Sequence, residues 1–221
     1  MAVLGVDGCR GAWVGALLAG RSVTLLALPD IAAVLAVPDV ELIAIDMPIG
    51  LSDDGPRSCD VEARRRLGRA GSSVFPTPLR VVLGCADYAA ACETSRRASG
   101  KALSMQAWNL VPAIRAIDDA LDDVPAGHVR EVHPELAFRA LDDRVSAPKA
   151  SARGLAQRVR ALEPVMDVLD ALAAAPGAVP AVDALDACAA AWSARRLADG
   201  RGNCVGNGRT DSRGRPMEIC W

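Results

Sequence analysis

The sequence predicts an α/β domain in which a sheet is flanked by helices and interrupted by a helical insertion. Short apolar runs separated by glycine-containing turns open the chain, as in an antiparallel meander. Further apolar runs, each followed by a helical pattern, come later and add strands to this sheet. Residues 47–127 show no strand pattern and are longer than an ordinary connection. We therefore expect a single domain of residues 1–221 with a helical and loop insertion at 47–127.

The N-terminal meander consists of three apolar runs within residues 3–28. The first run leads directly into Asp7, and we expect the first strand to stop there in a tight turn. Gly8 and Gly11 would let this turn adopt positive φ and let backbone amides approach a ligand. An ordinary hairpin turn built on the Asp-Gly pair is the alternative interpretation.

A second aspartate occupies the end of another predicted strand. After a small helix within residues 31–37, residues 41–46 form an apolar strand that ends in Asp46. Pro48 breaks it, because proline cannot donate a hydrogen bond to a strand ladder. Two strands that each deliver a carboxylate favour a shared site over a simple turn for Asp7.

The predicted insertion contains an arginine-rich helix near residues 57–66, a proline-rich loop over 72–80, and helical patterns near 86–97 and 106–121. A solvated helix face is the favoured interpretation of the arginines, and phosphate contacts are the alternative, since guanidinium suits phosphate oxygens. One tyrosine and two phenylalanines give little support for base stacking. The insertion is a lid, a substrate guide or a dimer surface, so a homodimer is one expectation.

Residues 128–133 predict another strand, followed by a helix. Strand alternation puts Glu131 and His133 on one face. Glu135 falls in the first turn of the helix, where the helix dipole alone would favour a carboxylate. A hydrogen-bonded strand-end residue is the ordinary interpretation of His133, and a surface lysine is that of Lys149 in the following loop.

The last predicted helix carries two aspartates. It follows a helical region over residues 151–175 that is interrupted near Pro164. Asp183 is suited to cap the last helix. Asp186 lies three residues later on the same face, among alanine, leucine and cysteine. Because an unpaired buried charge is too costly, Asp186 must face water, a partner or a metal.

Composition limits the classes of function. The net charge of −2 gives no global attraction to nucleic acid. Seven cysteines without a C-x-x-C pair argue against a disulfide framework and a zinc site. With no signal peptide or membrane-length apolar run, we expect a cytoplasmic protein without membrane contact. The abundance of alanine and arginine is typical of a GC-rich bacterial genome.

Six ordered motifs between residues 3 and 219 make the chain similar to the domain-of-unknown-function 429 family. They are V-D-G-C-R-G-x-W, I-D-M-P-I-G-L, S-S-V-F-P-T-P, L-S-M-Q-A-W-N-L, E-V-H-P-E and D-A-L-D-A. That family is described as predicted ribonuclease H-like nucleases, and the last motif also resembles that of RuvC-type Holliday-junction resolvases. The resemblance implies a ribonuclease H-like fold. Its five-stranded mixed sheet would consist of three antiparallel strands to which parallel strands are added. Where we expect a pair of lysines after E-V-H-P-E, this chain has Lys149 followed by Ala150.

The resemblance also implies that Asp7, Asp46 and Asp186 meet, with Asp183 or Glu131 as a fourth carboxylate. Crowded carboxylates raise one another's pKa, and hard divalent cations such as Mg²⁺ or Mn²⁺ relieve this. Two ions about 4 Å apart would support metal-dependent hydrolysis of a phosphodiester. Asp7 would bridge the ions, Asp46 would bind one, and Asp186 with Asp183 would bind the other.

The substrate of such a nuclease is DNA, RNA or a small phosphodiester. Glu131 or His133 would assist water activation or product release. We expect the substrate contacts to come from Arg10, Ser73, Arg80, Glu135 and Lys149.

Three alternatives remain open. The same superfamily includes actin-like and sugar-kinase ATPases, which implies a nucleotide-binding phosphotransferase, although those proteins usually carry two copies of the fold. A non-catalytic binding protein is the second alternative. A hydrolase with Cys9 as nucleophile and His133 as base is the third, but no base-orienting pattern surrounds Cys9.

Overall fold

The computed structural model describes residues 1–177 and 179–221 of the chain. These residues form two compact units, of which the first contains Met1–Met47, Val124–Asn203 and Cys220–Trp221 and the second contains Pro48–Asp123 and Cys204–Ile219. The strands are β1 (Ala2–Cys9), β2 (Ala12–Ala19), β3 (Ser22–Leu28), β4 (Val40–Ile45), β5 (Val129–Glu131), β6 (Cys204–Thr210) and β7 (Pro216–Cys220). The α-helices are α1 (Ile31–Leu35), α2 (Ser58–Leu67), α3 (Tyr88–Ser99), α4 (Met105–Ala120), α5 (Pro134–Leu141), α6 (Ala152–Leu162), α7 (Val168–Ala173) and α8 (Ala181–Ala198).

The first unit is built on a mixed sheet. Within the described residues its five strands have the order β3-β2-β1-β4-β5. β2 pairs antiparallel with β1 and β3, whereas β4 pairs parallel with β1 and β5. The α/β class and the five-stranded mixed sheet are therefore confirmed, and the strand order is consistent with a ribonuclease H-like fold. Because β1 and β4 are parallel neighbours, their carboxyl ends lie side by side.

Helix α8 packs across β1, β2 and β4 at unusually close range. A Cβ atom on Gly5 of β1 would lie 2.0 Å from the backbone nitrogen of Ala191 and 2.2 Å from the carbonyl oxygen of Ala187. The buried face of α8 is accordingly rich in alanine, which lets the helix backbone approach the strand. Asp7 is two residues after Gly5, so strand alternation places it on the same side of the sheet as α8.

The turn after β1 differs from the prediction. The strand does not stop at Asp7, because Gly8 pairs with Trp13 in the ladder with β2. The hairpin turn consists of Arg10 and Gly11, with φ of 47° and 83°. Two consecutive positive φ values are typical of a type I′ turn. The expected positive φ is thus found at Gly11 but not at Gly8, and the hairpin alternative for Asp7 is wrong.

The second unit covers most of the predicted insertion and adds β6 and residues 216–219 of β7. Its described residues 48–123 contain helices and short 3-10 turns but no strand. An arginine–aspartate network crosses this unit. Asp118 of α4 accepts from Arg80 at 2.8 Å, and Arg215 bonds Asp122 at 2.6 Å. The network as a whole comprises Arg80, Arg213, Arg215, Asp118, Asp122 and Asp211.

Two expectations from composition can be compared with the described residues. Among these residues, no helix combines the length and the apolar character needed to cross a bilayer. Cys204 and Cys220 are disulfide-bonded, whereas the odd cysteine count had argued against a disulfide framework. Free thiols are found at Cys9, Cys59, Cys85, Cys92 and Cys188.

Candidate metal centre

Two aspartates lie side by side at the carboxyl ends of β1 and β4. Val6 pairs with Ile45, and the backbone N–H of Asp46 donates to the Val6 carbonyl at 2.9 Å. The next residues, Asp7 and Asp46, therefore project from the same face of the sheet, the face that α8 covers. Asp7 is buried, and its carboxylate accepts from the N–H of Gly8 at 2.9 Å.

Helix α8 brings a third buried aspartate to this place. Asp186 is only 1% exposed, and it acts electrostatically on Asp7. One of its oxygens, Oδ2, accepts from Nζ of Lys149 at 2.7 Å. The other oxygen, Oδ1, is buried and has no hydrogen-bond partner among the residues that the structure describes. We refer to Asp7, Asp46 and Asp186 together as the carboxylate site.

The members of the carboxylate site destabilise one another's charge. Burial raises the pKa of Asp7 well above its usual value, and Asp46 and Asp186 raise it further. Burial also raises the pKa of Asp46, although His133 and Lys149 act against it. Asp186 has its pKa raised by burial to about 6 in spite of its ion pair with Lys149. The site thus has an excess of negative charge that one lysine does not neutralise.

The donor set fits a hard divalent cation. Carboxylate oxygens are the ligands that Mg²⁺ and Mn²⁺ prefer, and the unpartnered Oδ1 of Asp186 is a buried acceptor within the set. In the part of the chain that the structure describes, these oxygens do not form a group of three ligand atoms within 4.8 Å of one another. An ion would therefore have to draw the carboxylates closer together.

Asp183 lies one turn before Asp186 and takes part in a separate contact. It accepts a hydrogen bond from the Cys9 thiol and also acts electrostatically on Asp7. This hydrogen bond, together with burial, raises the pKa of Cys9 to about 11. A thiol that keeps its proton at neutral pH is a poor nucleophile, so the geometry disfavours the cysteine hydrolase.

The loop that carries Lys149 is held by α6. Gln157 Oε1 accepts from the N–H of Ala147 at 2.9 Å, and the Ser151 hydroxyl donates to the Pro148 carbonyl at 2.7 Å. A Cβ atom on Gly154 would lie 2.0 Å from that same carbonyl oxygen. The backbone on both sides of Lys149 is therefore fixed, so Lys149 is more than an ordinary surface lysine.

Glu135 and His133 lie near the carboxylate site at the start of α5. Glu135 acts electrostatically on Asp46 and Asp186, but it is also paired with Arg158 of α6. His133 is the residue before α5 and acts electrostatically on Asp46. Its Nδ1 atom is buried without a hydrogen-bond partner in the described chain.

The strand register separates Glu131 from these residues. Glu131 pairs with Ile45, which itself pairs with Val6. Side chains in register share a face, so Glu131 projects from the face opposite to Asp7 and Asp46. β5 ends at Glu131, so His133 lies beyond the strand, and the expectation that the two side chains share a strand face stays a prediction. Glu131 therefore lacks geometric support as a fourth ligand.

Three of the residues expected to contact a substrate, Arg10, Ser73 and Arg80, have no hydrogen bond or ion pair with the carboxylate site among the described residues. Arg10 is exposed in the hairpin turn of the first unit. Ser73, in the second unit, donates its hydroxyl to the Ala70 carbonyl at 2.7 Å. Arg80, in the same unit, belongs to the arginine–aspartate network. The hydroxyl of Ser73 and the guanidinium of Arg80 thus have partners within their own unit, which favours a structural role for both.

Arg158 is a site residue that the sequence interpretation missed. It is buried, bonds Glu135, donates to the carbonyl oxygens of Ala147 and Gly154 at 3.2 Å, and lies over the Phe138 ring. The signal in the sequence is the spacing of residues in α6. Arg158 follows Gly154 by four positions and precedes Ala161 and Leu162 by three and four, so all four lie on the buried stripe of this helix. An arginine on the buried stripe of a helix requires a partner.

Comparisons with known proteins identify a family. The sequence model of the family described as "Protein of unknown function (DUF429)" matches residues 5–211. Neither the curated proteins nor the solved structures yielded a match. The matched range contains β4, α8, the second half of β1 and the whole carboxylate site. The chain therefore belongs to the DUF429 family.

Proposed function

We propose that this protein is a divalent-cation-dependent hydrolase of phosphodiester bonds, acting on nucleic acid or on a small phosphodiester. The observation that supports this most strongly is the convergence of three carboxylates from β1, β4 and α8 with one lysine to offset them. The ribonuclease H-like strand order adds support, because it brings two of these residues to adjacent strand ends.

Asp7, Asp46 and Asp186 would hold Mg²⁺ or Mn²⁺. When bound, such a cation supplies Lewis-acid polarisation of a phosphodiester and activation of water. The chain contributes the buried surroundings of Asp7 and Asp186, which strengthen electrostatic interactions at this place. Asp183, held by the Cys9 thiol, adds negative charge at the edge of the same cluster.

We assign proton transfer to His133. Histidine is the side chain most often used in enzymes to accept and return a proton. His133 acts electrostatically on Asp46, and its Nδ1 atom is left without a partner in the described structure. His133→Gln would keep a polar side chain and lose the transfer, so we expect its activity to fall while divalent-cation binding persists.

The proposal is tested by cleavage assays on metal-stripped protein. Single-stranded DNA, duplex DNA, RNA and bis(p-nitrophenyl) phosphate are supplied with Mg²⁺ or Mn²⁺. We expect cation-dependent cleavage of at least one substrate, with Asp7→Asn and Asp186→Asn reduced by roughly 100-fold or more. Asp119→Asn, at an exposed position of α4, is the matched control. Wild-type activity of Asp7→Asn with Mn²⁺ would contradict the assignment.

Ligand-induced stabilisation separates the remaining alternatives. A ligand that binds only the folded state raises the midpoint of thermal unfolding. Stabilisation by Mn²⁺ favours the hydrolase, whereas stabilisation by ATP in the absence of added Mn²⁺ favours the phosphotransferase. A response to neither would leave a non-catalytic binding protein.

A further inference from the structure

A positive charge already lies within the carboxylate site. Nζ of Lys149 is 2.7 Å from Oδ2 of Asp186, and the same ammonium group interacts electrostatically with Asp7 and Asp46. Lysine is rare in this chain: of the 25 lysine and arginine residues, two are lysines, Lys101 and Lys149. An ammonium group is a compact point charge, which makes it a closer substitute for a metal ion than a planar guanidinium.

The position of this ammonium group is built into the fold. The Lys149 backbone lies between Ala147, which bonds Gln157 and Arg158, and Ser151, which caps α6 through the N–H of Gly154 at 3.0 Å. The side chain is half-exposed at its surface end, yet its charge reaches the buried Asp186. Lys149 thus reaches the site from a fixed loop.

The charge balance at the site leaves room for one divalent cation. Asp7, Asp46 and Asp186 carry three negative charges when ionised, and Lys149 neutralises one of them. The remaining charge of −2 matches a single Mg²⁺ or Mn²⁺. A second divalent cation beside Asp186 would be repelled by the ammonium group, because like charges within contact distance interact strongly in a buried site.

The neighbouring carboxylates, Glu135 and Asp183, change this balance less than the three aspartates do. Glu135 is paired with the buried Arg158, so their charges offset one another. Asp183 is half-buried, so water screens its charge. It also accepts a hydrogen bond from the Cys9 thiol. At the carboxylate site, Oδ1 of Asp186 is a buried acceptor without a hydrogen-bond partner among the described residues, so it is suited to bind a cation.

We propose that the carboxylate site binds one divalent cation and that the Lys149 ammonium group occupies the place that a second ion would take. This inference rests on the proposed function and replaces the two-ion arrangement expected from the sequence. Lys149 keeps its contact with Oδ2 of Asp186, while Asp7, Asp46 and Oδ1 of Asp186 hold the ion. The positive charges at the site are then one divalent cation and the ammonium group of Lys149, which the chain itself supplies.

The test counts the ions bound. Mn²⁺ is titrated into metal-stripped full-length protein by isothermal calorimetry, with electron paramagnetic resonance as a second readout. We expect one Mn²⁺ per wild-type chain with the signal of an isolated ion. Lys149→Met keeps the length of the side chain and removes its charge, so we expect two Mn²⁺ per chain with spin coupling between them. Neither readout depends on catalytic activity.

Two control variants complete the experiment. Lys149→Arg keeps the charge and Lys101→Met removes the other lysine, so each should bind one Mn²⁺. Two ions in the wild type, or one ion in a folded Lys149→Met variant, would overturn the inference and leave the proposed function standing. Absence of Mn²⁺ binding to the wild type would overturn both. If Lys149→Met does not fold, the wild-type and Lys149→Arg stoichiometries decide, and two ions in either overturn the inference.

Discussion

Each unit of this protein contains three interacting aspartates, but the two groups have opposite charge balance. In the arginine–aspartate network of the second unit, three guanidinium groups face three carboxylates. In the carboxylate site of the first unit, Lys149 faces three carboxylates, and His133 acts electrostatically on Asp46. The number of cations provided by the chain is therefore the main difference between two otherwise similar clusters.

The aspartate pKa values follow this difference. Burial tends to raise the pKa of Asp211, but hydrogen bonds from the N–H groups of Leu51, Arg215 and Arg213, together with the charge of Arg80, hold it below its usual value. Burial raises the pKa of Asp7, and its neighbours raise it further. A cluster that satisfies its own charges is suited to a structural role, whereas one that does not is suited to bind a cation.

The largest expected effect is the loss of a carboxylate from the balanced network. Asp118→Asn removes a buried carboxylate that pairs with three arginines, Arg80, Arg213 and Arg215, so we expect the free energy of unfolding to fall by about 3–5 kcal/mol. Urea denaturation followed by circular dichroism measures this. Asp119→Asn on the next, exposed residue should stay within about 0.5 kcal/mol of the wild type. A change below 1 kcal/mol for Asp118→Asn would remove the contrast between the clusters.

At the carboxylate site, replacing an aspartate by asparagine should raise the free energy of unfolding instead of lowering it. Because the folded state raises the pKa of Asp186 to about 6, its ionisation costs stability as pH rises from the unfolded value near 3.8. Asp186→Asn should therefore be more stable than the wild type at pH 8, by up to about 3 kcal/mol. The gain should vanish below pH 3.8, where Asp186 is protonated in both states. Thermal unfolding with a chelator present, from pH 3 to pH 8, measures the difference, and a less stable Asp186→Asn at pH 8 would contradict it.

A divalent cation should stabilise the wild type to a similar degree. At a free Mn²⁺ concentration of 100 times Kd, we expect a gain of about 2.7 kcal/mol. The unfolding midpoint should then rise by roughly 5–10 °C for a chain of this size. Asp186→Asn should lose most of this response, whereas Asp119→Asn should keep it. Equal shifts in both variants would show that Mn²⁺ binds elsewhere.

The smallest effect is expected at Cys9. Its thiol donates to Asp183, and a hydrogen bond of this kind contributes about 1 kcal/mol. Cys9→Ala should therefore lose about that much stability and keep cleavage activity within roughly tenfold of the wild type. A complete loss of activity in a folded Cys9→Ala variant would return the cysteine hydrolase to consideration.

The sheet could be predicted because each of its first four strands is an apolar run ended by a glycine turn, an aspartate or a proline. The hairpin strand β6 gave no such signal. Six of its seven residues are exposed, and it contains Gly206 and Gly208, so neither alternation nor apolar character marks it as a strand. Its pairing with β7 depends on residues several positions later in the chain, which local patterns do not encode.

Part of the candidate site could be predicted in the same way. Asp7 and Asp46 follow apolar strands, and Asp186 interrupts an apolar helix face, so each is marked by its local sequence. The position of Glu131 depends on where β5 ends, and a shift of one residue exchanges the faces of the sheet. The contact of Lys149 with Asp186 joins residues 37 positions apart, and no local pattern predicts such a contact.

Gly5 has a consequence for how mutational scans of this family should be interpreted. It offers no ligand atom, proton or charge, yet any side chain at position 5 would push α8 away from β1. The distance between the strand that carries Asp7 and the helix that carries Asp186 would then increase. A scan that ranks positions by lost function would count Gly5 with the aspartates. The contribution of Gly5, however, is only that it lets the backbone of α8 approach the backbone of β1 closely.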